Sequence, residues 1–312
     1  MSRAFVFPGQ GAQAIGMGQA LADGYPVARA VFEEVDDALE ENLSALIWEG
    51  DIETLTMTQN AQPALMATSL AAMRALQAEG VELDAAAFAA GHSLGEYSAL
   101  AATRALSLGD TARLLRIRGL AMQQAVPVGV GAMAAVLGLD LAAVRDVAAE
   151  AAQGQVCEAA NDNDPAQVVV SGHKEAVERA TELAKAKGAK RAVMLPVSAP
   201  FHCQLMAPAA EAMADALASV DIQAPQVPVV ANVLAAPVQD PEEIRDLLVR
   251  QITGAVRWRE SVEYMVSQGV DEVWEIGAGK ALSGMVRRID RSVTCRAVGT
   301  ADDIKAVLDT LA

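Results

Sequence analysis

Residues 3–7, Arg-Ala-Phe-Val-Phe, make a short apolar run that Pro8-Gly9-Gln10-Gly11 ends. That is the pattern of a buried strand closed by a turn. Apolar positions then recur at helical spacing over about 26–42 and 62–79. A second apolar strand at 86–90 leads into Gly91-His92-Ser93-Leu94-Gly95, and helical patterns follow over 94–102 and 109–124. Strand, turn and helix repeating in this order predict a parallel sheet with helices on its faces.

The pattern changes after Pro127-Val128-Gly129-Val130-Gly131. Strand 132–137, helix 140–152, strands 155–160 and 167–171, helix 174–187 and strand 190–197 give the order βαββαβ of a ferredoxin-like unit. Asn161-Asp162-Asn163-Asp164-Pro165 has the composition of the hairpin turn inside it. Pro196 and Pro200 bracket the return to the main domain. Alternation then resumes, with helices near 205–218, 241–252, 258–267 and 280–289 and strands at 228–232 and 272–276. The expected fold is α/β: a discontinuous core of 1–126 and 198–312 carrying an insert of 127–197.

Composition narrows the functional classes. With 312 residues the chain suits one large α/β domain or two that share a core. Hydrophobic residues at 53% and charged residues at 21% place it among globular proteins. A net charge of -16 argues against a nucleic-acid partner, which needs a basic surface. Cys157, Cys203 and Cys295 are far apart, without metal-ligand or redox-pair spacing, so neither a metal site nor a disulfide framework is expected and a reducing cytoplasm fits. No apolar stretch reaches about 18 residues, so no membrane span is expected. Residues 174–191 run against the overall charge, with six basic side chains to three acidic. They are either a solvated helix face or a docking face for an acidic partner.

Gly91-His92-Ser93-Leu94-Gly95 is a G-x-S-x-G sequence between an expected strand and an expected helix. A nucleophile on such a turn needs small residues two positions before and after it, because the backbone crowds there. The Leu94 N–H, at the helix start, faces where an oxyanion would form. A serine needs a base, and there are three histidines. His92 adjoins Ser93 and should point away from it. His173 begins a helix, where an exposed or capping role is expected. His202 lies where the chain re-enters the core, and elimination favours it over a structural histidine. Cys203 beside it reads as a buried inert thiol. On helix 109–124, Arg118 has Leu114, Leu115, Ala121 and Met122 as its i±3 and i±4 neighbours. A cation there snorkels, pairs with a protein carboxylate, or binds a substrate carboxylate in a bidentate fork. Two nucleotide-site patterns are incomplete. Gly9-Gln10-Gly11-Ala12-Gln13-Ala14 lacks the acidic residue of a dinucleotide fingerprint, and Gly277-Ala278-Gly279-Lys280 is too short for a phosphate loop.

Together these residues resemble the acyltransferase family of fatty acid and polyketide synthesis, the malonyl-CoA:acyl-carrier-protein transacylases among them. The similarity spans nearly the whole chain. Phe7-Pro8-Gly9-Gln10-Gly11 is similar to the family's N-terminal motif, which implies that the Gln10 N–H joins Leu94 in an oxyanion hole. Gly91 to Glu96 resembles the nucleophile motif, with Ser93 as acyl carrier. Arg118 corresponds to the arginine that holds the malonyl carboxylate, and Phe201-His202 to the base motif of malonyl-preferring members. Gln251 corresponds to a position near that base, where a backbone carbonyl rather than an Asp orients the imidazole. Asn232 and the Glu275-Ile276-Gly277-x-Gly279-Lys280 block also correspond, except that Ala278 replaces the family's usual Pro. The resemblance implies an α/β-hydrolase-like core with the ferredoxin-like insert. It also implies ping-pong transfer from malonyl-CoA to acyl carrier protein without metal or cofactor, by a cytoplasmic monomer. A serine thioesterase or esterase, a polyketide-type acyltransferase for another acyl-CoA, a non-catalytic carrier-binding module and a dinucleotide oxidoreductase are the rivals.

Overall fold

The computed structural model describes residues 2–197 and 199–311. Met1, Ser198 and Ala312, which begin or end the expected core segments, lie outside them. The strands are β1 (Ser2–Phe7), β2 (Phe88–Gly91), β3 (Gly131–Leu137), β4 (Cys157–Asp164), β5 (Gln167–His173), β6 (Arg191–Met194), β7 (Val229–Ala231), β8 (Ala236–Val238), β9 (Val270–Ile276) and β10 (Thr294–Val298).

Alternation within β1 decides the layering. Ala4 and Val6 are buried in one apolar cluster, and Phe5 and Phe7 in another on the opposite face. A strand apolar on both faces belongs inside a sheet covered by helices on each side. β1 sits there, in a six-stranded sheet of order β10-β9-β1-β2-β7-β8, parallel except for β8 against β7. The other four strands form an antiparallel sheet of order β4-β5-β3-β6. Helices Leu141–Ala152 and Lys174–Ala186 cover one face of it through Val144, Val147, Val177 and Ala180. Its other face presents Met133, Ala135, Ala160 and Val169 to Leu195, Val197 and Phe201. The expected α/β class therefore holds, with a parallel-rich sheet and a separate antiparallel one. Among the described residues no helix is long and apolar enough to cross a membrane.

One expected turn is a strand. β4 continues through Asp164, and Pro165 with Ala166 makes the reversal. Turn propensity loses here because the polar side chains find partners on the larger sheet's side. Arg259 pairs with Asp162 at 2.9 Å and Arg288 with Asp164 at 2.7 Å. The Asp162 N–H donates to Val256 O at 2.9 Å, and the Val256 N–H to Ala160 O at 2.8 Å. These bonds fasten the small sheet to the core.

Helix boundaries moved for local reasons. The helix expected to 42 ends at Leu39, where Glu40 takes a left-handed φ of 52°. Asn42 then caps a separate helix, Leu43–Glu49. The helix expected from 62 begins at Thr58 and runs through Pro63. Proline leaves the carbonyl four residues back without its donor, and Arg116 Nη1 fills that place on Gln59 O at 2.9 Å. Strands β8 and β10 and helices Gln19–Gly24, Ile52–Thr56 and Ala301–Leu308 were not anticipated.

Candidate active site

Ser93 ends the turn after β2 with φ 55° and ψ −112°, a positive φ that side-chain-bearing residues rarely adopt. Such a backbone persists only where its surroundings hold it. The two glycines permit it. A Cβ on Gly91 would lie 1.9 Å from the Gly95 carbonyl, and one on Gly95 would lie 2.2 Å from Phe7 O. Asn232, just past β7, closes the turn: its Oδ1 accepts from the Ser93 N–H at 2.8 Å and its Nδ2 donates to Gly91 O at 2.7 Å. Helix Leu94–Ala102 starts immediately after. Gly9 lets the loop after β1 approach, since a Cβ there would meet His92 O at 2.7 Å. That loop delivers Gln10, which lines the same cavity of about 450 Å³ as Ser93 and Leu94. Among the described residues the backbone N–H groups of Gln10 and Leu94 have no acceptor.

His202 Nε2 lies 2.8 Å from Ser93 Oγ. Its Nδ1 faces two carbonyl oxygens, Gln251 O at 2.9 Å and Gly254 O at 3.2 Å. Carbonyls only accept, so Nδ1 carries the proton and Nε2 is the bare acceptor. Burial, and then the Arg118 cation, push the imidazole pKa down to about 3. His202 is therefore neutral at physiological pH, the form a general base requires.

Arg118 is buried on helix Leu108–Gln124. Gly119 lets this helix touch helix Thr58–Ala78, because a Cβ there would sit 2.5 Å from Gln59 Cα. The contact brings Nη1 to Gln62 Oε1 at 2.7 Å. Nη2 donates to Gln251 Oε1 at 2.8 Å and to Ser93 Oγ at 3.1 Å. No carboxylate forms an ion pair with Arg118 among the described residues, and its Nε has no partner there. The Tyr97 ring lies beneath, 5.5 Å from ring centroid to Cζ. Snorkelling and direct pairing with a protein carboxylate are thus both set aside.

The structure thus brings Ser93, His202, Gln10, Leu94 and Arg118 to one cavity and sets Gln251 behind it. His92 turns to Asn163 Oδ1 at 2.9 Å, as its position implied. His173 stands at the N-cap position of its helix, as expected, but its side chain makes no capping bond and instead accepts the Val156 N–H on Nδ1 at 3.0 Å. Cys203 is buried, and burial raises its thiol to about 11. The basic segment is partly neutralised. Lys187 pairs with Glu150 at 2.6 Å and Lys185 with Glu182 at 2.8 Å, while Arg179 binds backbone carbonyls. Sequence reasoning missed Glu96, Tyr97 and Gln62. Glu96 had a legible signal, as the one charged residue of an otherwise largely apolar helix. Gln62 had none.

The chain matches the acyl transferase domain family over residues 4–304. It is 48% identical over 306 residues to the malonyl CoA-acyl carrier protein transacylase of Escherichia coli K12, covering 98% of each. The acyl-carrier-protein-S-malonyltransferase of Bartonella henselae superposes with a TM-score of 0.97 at 55% identity, covering 100% of this chain and 99% of that one. A malonyl-transacylase solved in complex with its type II PKS acyl-carrier protein superposes at 0.96 with 44% identity, covering 99% and 100%.

Proposed function

The chain belongs to the acyl transferase domain family, and from that premise we propose that its transfer of malonyl from malonyl-CoA to acyl carrier protein runs through an ester on Ser93. The activity supplies extender units for fatty acid synthesis. One observation carries the Ser93 assignment: Ser93 Oγ lies within hydrogen-bond reach of a neutral imidazole and a buried guanidinium at once.

In this reading His202 Nε2 takes the Ser93 proton as Oγ attacks the malonyl thioester. The Gln10 and Leu94 N–H groups receive the oxyanion. The intermediate collapses with loss of the CoA thiolate, which takes the proton from His202. The phosphopantetheine thiol of the carrier protein then enters, and His202 accepts its proton as sulfur attacks the ester carbonyl. On collapse the acyl C–O bond to Ser93 breaks and Oγ takes that proton back from His202. Gln251 supports the base through its backbone carbonyl, in place of a carboxylate. An ester on Oγ sets the malonyl carboxylate three bonds further on, within reach of the Arg118 fork. The division into a core of 1–126 and 198–312 and an insert of 127–197 belongs to the same proposal, as do a cytoplasmic setting and a monomeric state.

Intact-protein mass spectrometry after mixing with malonyl-CoA tests the assignment. One malonyl mass should appear on the wild type and none on Ser93→Ala. Uptake by Ser93→Ala would move the ester elsewhere. Release of free malonate faster than transfer to a carrier thiol would favour the thioesterase instead.

A further inference from the structure

Helix Leu94–Ala102 buries its one carboxylate: Glu96 is 2% exposed, and it is absent from the cavity lining. Its Oε2 accepts from the Asn232 N–H at 3.0 Å and from Gln251 Nε2 at 2.8 Å. On the other side of the same amide, Gln251 Oε1 accepts from Arg118 Nη2 at 2.8 Å. A carboxylate offers acceptors and a guanidinium offers only donors. An amide held between them has one consistent orientation, nitrogen toward Glu96 and oxygen toward Arg118. The reverse orientation would set N–H groups against the guanidinium and the amide oxygen against the carboxylate.

We propose that Glu96 is a positioning residue for acyl-group selectivity: it fixes the Gln251 amide, which in turn aims the Arg118 guanidinium at Ser93 Oγ. This rests on the reading of Arg118 as the malonyl clamp. Glu96 acts through two other side chains and does not touch the acyl group. In its ionised form Glu96 also reaches Arg118 across the amide, because both groups are buried and poorly screened. A cation held by neutral amides alone would be free to turn to whichever oxygen is nearest. With Glu96 behind Gln251, the fork is set before substrate arrives, and a carboxylate-bearing acyl group meets it already aligned.

The bland alternative is that Glu96 simply ties its helix to Asn232 and to helix Pro241–Thr253. That role predicts losses shared equally by all substrates. The discriminating measurement is kcat/KM for malonyl-CoA and for acetyl-CoA, with carrier protein as acceptor, in four proteins: wild type, Glu96→Gln, Arg118→Ala and the double variant. The new amide at 96 presents N–H groups as well as an oxygen, so it no longer dictates how Gln251 faces. Only Ser93 O, which also accepts from Gln251 Nε2 at 3.1 Å, still favours that orientation. Glu96→Gln should lower the malonyl-to-acetyl ratio about tenfold or more, the worth of one hydrogen bond to a charged group. It should lower that ratio no further once Arg118 is alanine. An unchanged ratio in folded Glu96→Gln, or an equal further loss in the Arg118→Ala background, overturns the proposal. If Arg118→Ala itself leaves the ratio unchanged, the clamp reading has failed and the proposal goes with it. A drop in Arg118→Ala without one in Glu96→Gln removes Glu96 alone. Should Glu96→Gln not fold, Gln251→Leu decides. It deletes the amide but keeps the backbone carbonyl for His202, so a lowered ratio supports the relay and an unchanged one overturns it.

Discussion

Arg118 donates from Nη2 to Ser93 Oγ at 3.1 Å, onto the same oxygen that His202 Nε2 meets at 2.8 Å. The guanidinium thus uses the Ser93 hydroxyl as one of its acceptors. A malonyl carboxylate is the better acceptor, because both partners are then charged and the bonds can be bidentate. An acetyl group offers no replacement and leaves the cation leaning on neutral oxygens.

Arg118→Ala should therefore lose malonyl transfer selectively. Removing one partner of a buried charged pair costs about 2–5 kcal/mol, or about 30-fold to several thousandfold in kcat/KM. Acetyl transfer should hold or improve, and lysine should rescue only part of the loss, since an ammonium cannot form the planar fork. Parallel kinetics with malonyl-CoA and acetyl-CoA check this. Equal depression of both would make Arg118 a structural residue.

His202→Ala should slow transfer by about 10²–10⁴, the usual worth of a positioned base, and His173→Ala should change little. The pH profile carries a second expectation. With the imidazole pushed down to about 3, the base stays unprotonated across the ordinary working range. The single-turnover acylation rate should show no loss assignable to His202 between about pH 8 and 5, where an unperturbed histidine near 6.5 would already be charging. A fall centred near 6.5 that vanishes in a His202 variant would contradict this.

Gly91→Ala and Gly95→Ala should each disrupt the elbow, because the added Cβ meets backbone rather than a movable side chain. The cost should reach the severe end for single substitutions, about 4 kcal/mol or more. Gly80 is the control: it has φ 90° but open space around it, so Gly80→Ala should cost only about 1–3 kcal/mol in backbone strain. Denaturant midpoints rank the three. Similar values would mean that crowding at the elbow is relieved by a shift of the turn.

Glu96 should also leave a signature in the pH dependence of stability. Burial raises its pKa to about 7 from 4.5, against the pull of Asn232, Gln251 and the Arg118 cation. The folded state then holds a proton more tightly than the unfolded chain does. Its contribution is largest below about 4.5 and is lost as pH rises through about 7, at up to about 1.4 kcal/mol per pH unit between them. His202 works in the opposite sense, its lowered pKa destabilising the fold as pH falls below 6.5. The difference between wild type and Glu96→Gln isolates Glu96. Melting temperatures of the two should separate further in favour of the wild type on going from pH 8 to 5.5. A constant gap would place the Glu96 pKa near its ordinary value.

The sequence by itself determined the layers and singled out Ser93. Phe5, Val6 and Phe7 alternate between two cores, and two glycines frame Ser93 because nothing larger fits beside Phe7 and Gly95; both constraints act within a few residues and leave a local pattern. It also marked Arg118, since a cation among Leu114, Leu115 and Met122 is anomalous on its own helix. Glu96 carried the same mark and could have been read in the same way. The tertiary structure alone decided what those charges face. Gln62 is an ordinary polar residue, and Asn232 and Gln251 stand out only by resemblance, until three distant segments bring them around Ser93. Asn161 to Asp164 read as a turn because their partners, Arg259 and Arg288, lie about a hundred residues further along. Short-range propensity is written in the chain, whereas the hydrogen-bond partners that overrule it are chosen only when the two sheets meet.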